Sequence, residues 1–382
     1  MFNLSLYIVM NSTSSESYST SSEEVEETNE FMNKDFVSLC QNHTYIPSIL
    51  PAVKRIIVLA DIHGDYKLAI KLLEIGRVIK HENNKIVWTG GDTYVVQVGD
   101  QVDRCRPKSL NNLSCDNPDA TKNDEASDIK ILRLFNDLHE QASLQGGKVI
   151  SLLGNHELMN ANGTMDYVSY KGLEEFSNYV DPKNPHKKFL SGKDARKYAF
   201  APGNEYGILL GCTRLSCVII GSNLFVHAGL IDKILDELHI KKPKDLEHIN
   251  ILVRKWLVGL INKEYVAHIV NSDENSMFWT RILGSIPPNI SNEDPICSKY
   301  LDRVLKMFNL GSIIIGHTPQ SFQFQKGINA TCGNIIHRVD NGSSSAFDGY
   351  DDILKISGSI NINRAPQVLE ILDDKKYNIL TY

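Results

Sequence analysis

From about residue 50 onward, short apolar runs alternate with stretches of helical periodicity. Residues 55–60 (RIIVLA) read as a buried strand, and residues 66–79 as a helix with Leu68, Leu72, Ile75 and Ile79 at helical spacing. Residues 94–98 (YVVQV) give a second strand. A helix follows with Ile131, Leu134, Phe135 and Leu138 on one face, and residues 148–153 give a third strand. This strand–helix–strand succession predicts an α/β fold with parallel pairing. Further strands are expected at 206–211, 217–227, 312–315, 334–339, 353–357, 366–372 and 376–380, and helices at 231–240, 245–262 and 298–309. No repeat recurs at a period of 20–50 residues.

Two polar stretches interrupt the pattern. Residues 105–128, rich in Asn, Asp and Ser, read as an inserted loop, and residues 165–200, mixed and without clear period, as a helical cap. The chain has 382 residues, 42% apolar and 23% charged, which suffices for a large folded body. The net charge of −6 resides in residues 1–35, where six Glu and one Asp face a single Lys. The rest is balanced, which speaks against nucleic acid or an anionic membrane as partner. Residues 1–35 are accordingly expected to be a disordered Ser/Thr/Glu-rich tail, and residues 36–382 one folded domain. The apolar opening MFNLSLYIVM has no basic flank and is not expected to act as a signal peptide. No apolar run is long enough to span a bilayer. The seven cysteines are scattered without a CxxC pair, so neither a zinc knuckle nor a disulfide framework is indicated; reduced thiols and a cytoplasmic location are expected.

The chemistry lies at the strand ends, where α/β sheets place their ligands. DIHGD at 61–65 follows the first strand, GDQVDR at 99–104 the second and GNHE at 154–157 the third. HAG at 227–229 and GHT at 316–318 close two later strands. Each cluster alone fits an ordinary hydrogen-bonded turn; five in succession do not. Three histidines, two aspartates and an asparagine make a nitrogen and oxygen donor set without thiolate. Such a set suits Mn, Fe or Zn in an open catalytic site.

In this order the motifs resemble the metal-dependent phosphoprotein phosphatases, within the calcineurin-like metallophosphoesterases, over about residues 55–345. The resemblance implies a four-layer α-β-β-α sandwich with a helical cap insertion. It implies two divalent ions, Mn foremost, held by Asp61, His63, Asp100, Asn155, His227 and His317, with Asp100 bridging. A hydroxide between the ions would attack phosphorus in line. His156 would be the general acid, oriented by Asp103, and Arg104 would grip the phosphate. Arg281, in FWTR at 278–281, fits a second phosphate-binding arginine. The substrate implied is a phosphorylated protein or peptide, on Ser/Thr foremost. Phosphotyrosine, diadenosine polyphosphates and an inactive binding module are the alternatives.

Some positions depart from the main pattern. Cys105 replaces the glycine usual after Asp-Arg, HAG replaces HGG, and VDNGSSSA at 339–346 follows the last motif strand. These features are similar to the bacterial-like and Shewanella-like branch. Cys105 is no credible nucleophile, but beside Arg104 it is a candidate for oxidation.

Overall fold

The computed structural model describes residues 30–41, 43–107, 113–351 and 364–382. The strand expected at 353–357 and most of the acidic tail lie outside the described residues. The strands in chain order are β1 (Ile49–Leu50), β2 (Arg55–Leu59), β3 (Ile79–Glu82), β4 (Lys85–Trp88), β5 (Tyr94–Gln97), β6 (Lys148–Leu152) and β7 (Arg214–Leu215). They continue with β8 (Cys217–Ile220), β9 (Asn223–Val226), β10 (Ser312–Ile315), β11 (Asn329–Thr331), β12 (Ile336–Arg338), β13 (Val368–Leu372) and β14 (Lys376–Leu380).

One six-stranded sheet runs β14-β13-β2-β5-β6-β7, and a second runs β1-β8-β9-β10-β12-β11. Parallel pairing of β2, β5, β6 and β7 in the first sheet, and of β9, β10 and β12 in the second, follows the expected α/β order. The strand period of two explains the layering. Ile56 and Val58 pack inward with Val218, Ile220, Phe225 and Ile314 of the facing sheet. Their neighbours Ile57 and Leu59 point outward, onto helices Tyr66–Ile75 and Asp128–Ser143. Ile219, Leu224, Val226, Ile313 and Ile315 do the same on the other side, beneath helices Asp245–Leu257 and Pro295–Phe308. The result is the α-β-β-α sandwich, with the parallel strands of both sheets delivering their carboxyl ends to one site. Among the described residues no helix is long and apolar enough to cross a membrane.

Several expectations are corrected. Residues 206–211 are not a strand but part of helix Glu205–Thr213, in contact with helices Phe36–Cys40 and Asp245–Leu257. The helix begun at Tyr66 stops at Ile75, and Ile79 opens the β3–β4 hairpin. The expected strand 217–227 is two antiparallel strands that turn at Gly221–Ser222. Residues 31–35 are helical and Phe31 is buried, so ordered packing begins inside the segment expected to be a tail.

The cysteines differ most from expectation. Cys40–Cys212, Cys105–Cys115 and Cys297–Cys332 are disulfides, and Cys217 alone is free. Scattered spacing hid pairs that only the fold brings within bonding reach. With six of the seven cysteines paired, cysteine usage no longer supports a cytoplasmic location.

Candidate metal centre and active-site cleft

The loops after β2 and β5 are laced together: the N–H groups of Ile62 and His63 both donate to the Asp100 carbonyl at 2.9 Å. Four non-glycine residues of the site hold left-handed backbone, with φ of 50° at His63, 53° at Asp100, 74° at Asp103 and 63° at His317. Such conformations cost about 1–3 kcal/mol each and persist only where surrounding contacts fix them. At Asp100 that fixing comes from Glu157, fully buried in helix Asn155–Ala161. Its carboxylate accepts from the N–H groups of Gly154 at 2.7 Å, Asp100 at 3.0 Å, Gln101 at 2.7 Å and Val102 at 3.2 Å. Burial pushes its pKa up, partly offset by those same N–H donors.

Two donor clusters share Asp100. One joins His63, Asp100 and His156 and the other Asp100, His227 and His317, each with its ligating atoms within 4.8 Å of one another. Asp100 Oδ2 lies 3.3 Å from His227 Nε2, 3.8 Å from His63 Nε2 and 4.0 Å from His156 Nε2. Asn155 Oδ1 is 3.0 Å from His227 Nε2. Asp61 Oδ2 accepts from the His317 N–H at 2.9 Å, whereas its Oδ1 is buried without a partner. A side chain on Gly316 would put a Cβ 2.3 Å from that Oδ1, so only glycine lets the loop approach so closely. The histidines are oriented from behind. His227 Nδ1 donates to the Val98 carbonyl at 2.8 Å and His317 Nε2 to the Trp279 carbonyl at 3.1 Å. The opposite ring nitrogens are thereby left as acceptors for an ion.

Charge balance points the same way. Burial, reinforced by nearby Asp340 and Asp100, pushes the Asp61 carboxyl well above its usual range. Burial opposes ionisation of Asp100 too, but the imidazoles of His227, His156 and His63 outweigh it and hold that carboxylate well below its usual range. Burial likewise disfavours a charged His227, yet Asp100 and Asp61 raise it to about 9. Buried carboxylates that draw cationic character from their neighbours, and one orphaned carboxylate oxygen, fit divalent cations.

Beside the clusters, His156 Nδ1 donates to Asp103 Oδ2 at 2.7 Å. Asp103 is held in turn by residues that sequence reasoning did not assign. Asn160 Nδ2 donates to its Oδ1 at 2.8 Å, and Asp128 accepts from its N–H. Arg196 of the cap, fully buried, donates to Asn160 Oδ1 at 2.9 Å and to Asp128 Oδ2 at 2.7 Å. One sequence signal was available: Asn160 follows His156 by four positions, on the same helical face.

A cavity of about 450 Å³ opens over the centre. His63, Asp100, Asn155, His156 and His317 line its floor, and Tyr167, Trp279, Phe322, Phe347 and Tyr350 supply an aromatic wall. Arg281 lines it, with Nη1 donating to the His317 carbonyl at 2.9 Å. Arg104 does not. It lies under the loop, with Nη1 3.7 Å from Asp65 Oδ2 and neither Nε nor Nη1 hydrogen-bonded. Arg106 takes the place in the cavity wall.

The family model for calcineurin-like phosphoesterases matches residues 54–321, which span all five strand-end motifs. The chain is a calcineurin-like phosphoesterase. An uncharacterised protein of Acanthamoeba polyphaga mimivirus is 39% identical over 259 residues, covering 65% of this chain and 97% of that protein. Shewanella-like protein phosphatase 2 of Arabidopsis thaliana is 27% identical over 79% of this chain and 75% of its own length. Among solved structures, a cold-active protein-tyrosine phosphatase of a Shewanella species superposes with a TM-score of 0.58 at 20% identity, covering 88% of this chain and 83% of that one. That last likeness shows the fold. Within the calcineurin-like phosphoesterases, the relatives support the Shewanella-like branch that the HAG and VDNGSSSA motifs suggest.

Proposed function

We propose that this phosphoesterase is a protein phosphatase acting on phosphoserine and phosphothreonine, with two manganese ions as the working metal pair. The observation that carries the reading is the convergence, in one cavity, of two donor clusters sharing Asp100, a carboxylate-backed His156 and guanidinium groups. Asp61, His63 and Asp100 would hold one ion, and Asp100, Asn155, His227 and His317 the other. Bound there, the ions supply Lewis-acid charge for the phosphoryl oxygens and acidify a water molecule.

The chain's own residues do the rest. Arg281 keeps one Nη on the His317 carbonyl and directs its remaining donors into the cavity, where a planar guanidinium suits two phosphoryl oxygens. Asp103 occupies Nδ1 and fixes the ring, which leaves His156 Nε2 to donate the proton to the departing alkoxide. Glu157 keeps the Asp100 loop from relaxing as charge moves.

The aromatic wall favours a second reading, in which phosphotyrosine is the preferred ester, since its ring could stack where an alkyl side chain could not. The test is turnover of matched phosphoserine, phosphothreonine and phosphotyrosine peptides, with diadenosine tetraphosphate alongside, under Mn²⁺, Fe²⁺ and Zn²⁺. Highest kcat/KM on the phosphoserine or phosphothreonine peptide under Mn²⁺ is expected. Preference for the tyrosine peptide would select the second reading, and turnover of the dinucleotide alone would sink both.

A further inference from the structure

Two guanidinium groups line the catalytic cavity, and they are anchored alike. Arg281 ties Nη1 to the carbonyl of His317, at the end of one site loop. Arg106 ties Nη1 to the carbonyls of Asp103 at 3.0 Å and Cys105 at 2.8 Å, at the end of another. Its guanidinium carbon lies 4.8 Å from the ring centre of Phe347 and 5.5 Å from that of Tyr167. Among the described residues, its Nε and Nη2 donate to no protein group, and the side chain is only partly buried. It is a cation fixed in place with donors to spare.

The local chain path explains why this residue and not Arg104 occupies the cavity. Cys105 is fully buried, its N–H donates to the Tyr167 carbonyl at 3.0 Å, and its sulfur is bonded to Cys115. The link pins the backbone immediately after Arg104 and directs the next residue back over Asp103. A glycine at 105 would keep the backbone hydrogen bond but lose the sulfur link.

We propose that Arg106, held by the Cys105–Cys115 disulfide, is the guanidinium that binds the substrate phosphoryl group together with Arg281. This assignment rests on the phosphatase reading above and replaces Arg104 in it. The test is binding of inorganic phosphate to the manganese-loaded protein by calorimetry, with KM and kcat on para-nitrophenyl phosphate alongside. Arg106→Ala is expected to weaken phosphate binding roughly 10- to 100-fold, the worth of a charge-assisted bidentate contact. KM should rise with it, and Arg106→Lys should recover part of the loss. The loss from Arg104→Ala should be the smaller of the two. The reverse order, in variants whose thermal melting matches the parent's, would overturn the proposal.

Cys115→Ser should weaken phosphate binding in the parent but add nothing to Arg106→Ala. Equal effects in both backgrounds would remove the disulfide from the proposal. Calorimetry separates this claim from the functional one. Phosphate bound through Arg106 without any phosphomonoester turnover would sink the phosphatase reading and leave Arg106 standing only as a phosphate ligand; no phosphate binding at all would sink both.

Discussion

Around Asp100, the arrangement of single side chains decides what the cleft can do. Three imidazoles lie within about one ion's reach of its Oδ2, at 3.3–4.0 Å, and only His156 among them has its Nδ1 on a carboxylate. That contact separates the proton donor from the candidate ligands. His156→Asn is therefore expected to lower kcat by about 10²–10⁴ without changing the metal content measured by elemental analysis. Full activity in that variant would dismiss the acid role. Asn160 acts one step further out, through Asp103. Asn160→Leu, close in volume, should reduce kcat roughly 10-fold, within the range seen when an orienting partner is lost. Its KM should stay put and the alkaline limb of its pH–rate profile, where the general acid loses its proton, should move. A proportionate change in KM with an unmoved profile would mean that Asn160 only fills space.

At the scale of elements, the strands that deliver the site were legible because each is a short apolar run closed by glycine and a polar side chain. That pattern leaves little room for misreading. Helix Glu205–Thr213 was not legible: EYGILLGCT is apolar on most sides, and a short run of that kind cannot be told from a strand by period alone. The β3–β4 hairpin was hidden for the opposite reason, since His81 to Lys85 is polar and exposed. The six metal-ligand candidates could be read off the motifs, whereas Arg106 could not, because its place depends on a disulfide that spacing does not reveal.

The two sheets are also joined by a contact that titrates. His337 of β12 stacks on Tyr377 of β14, ring centres 4.1 Å apart. Burial lowers the His337 pKa to about 4, from an ordinary 6.5. Below pH 6.5 the unfolded imidazole takes its proton first, so burial of the neutral ring carries no protonation penalty above that pH. Stability is lost as pH falls towards 4, by up to about 3 kcal/mol. Denaturant midpoints measured between pH 7 and 4 should fall with acidification, and His337→Phe should flatten the slope. An unaltered slope would assign the acid sensitivity to other groups.

Across the whole molecule, Cys40–Cys212 spans 172 residues and holds the N-terminal helical segment against helix Glu205–Thr213. Phe31 and Phe36 pack on the same spot, so covalent and apolar attachment act together. Cys40→Ser is expected to cost about 2–5 kcal/mol of unfolding free energy, read by extrapolating denaturant unfolding to water, with m rising as the denatured chain loses its crosslink. A shift below the error of that measurement would show that the aromatic packing alone secures the segment. With the other six sulfurs spoken for, Cys217 is left as a solitary thiol in β8, fully buried, with its pKa pushed up to about 12. The protein thus carries its own clock: a maleimide added to the native state would have to wait for the second sheet to part, and the pace of labelling would time that opening without any engineered probe.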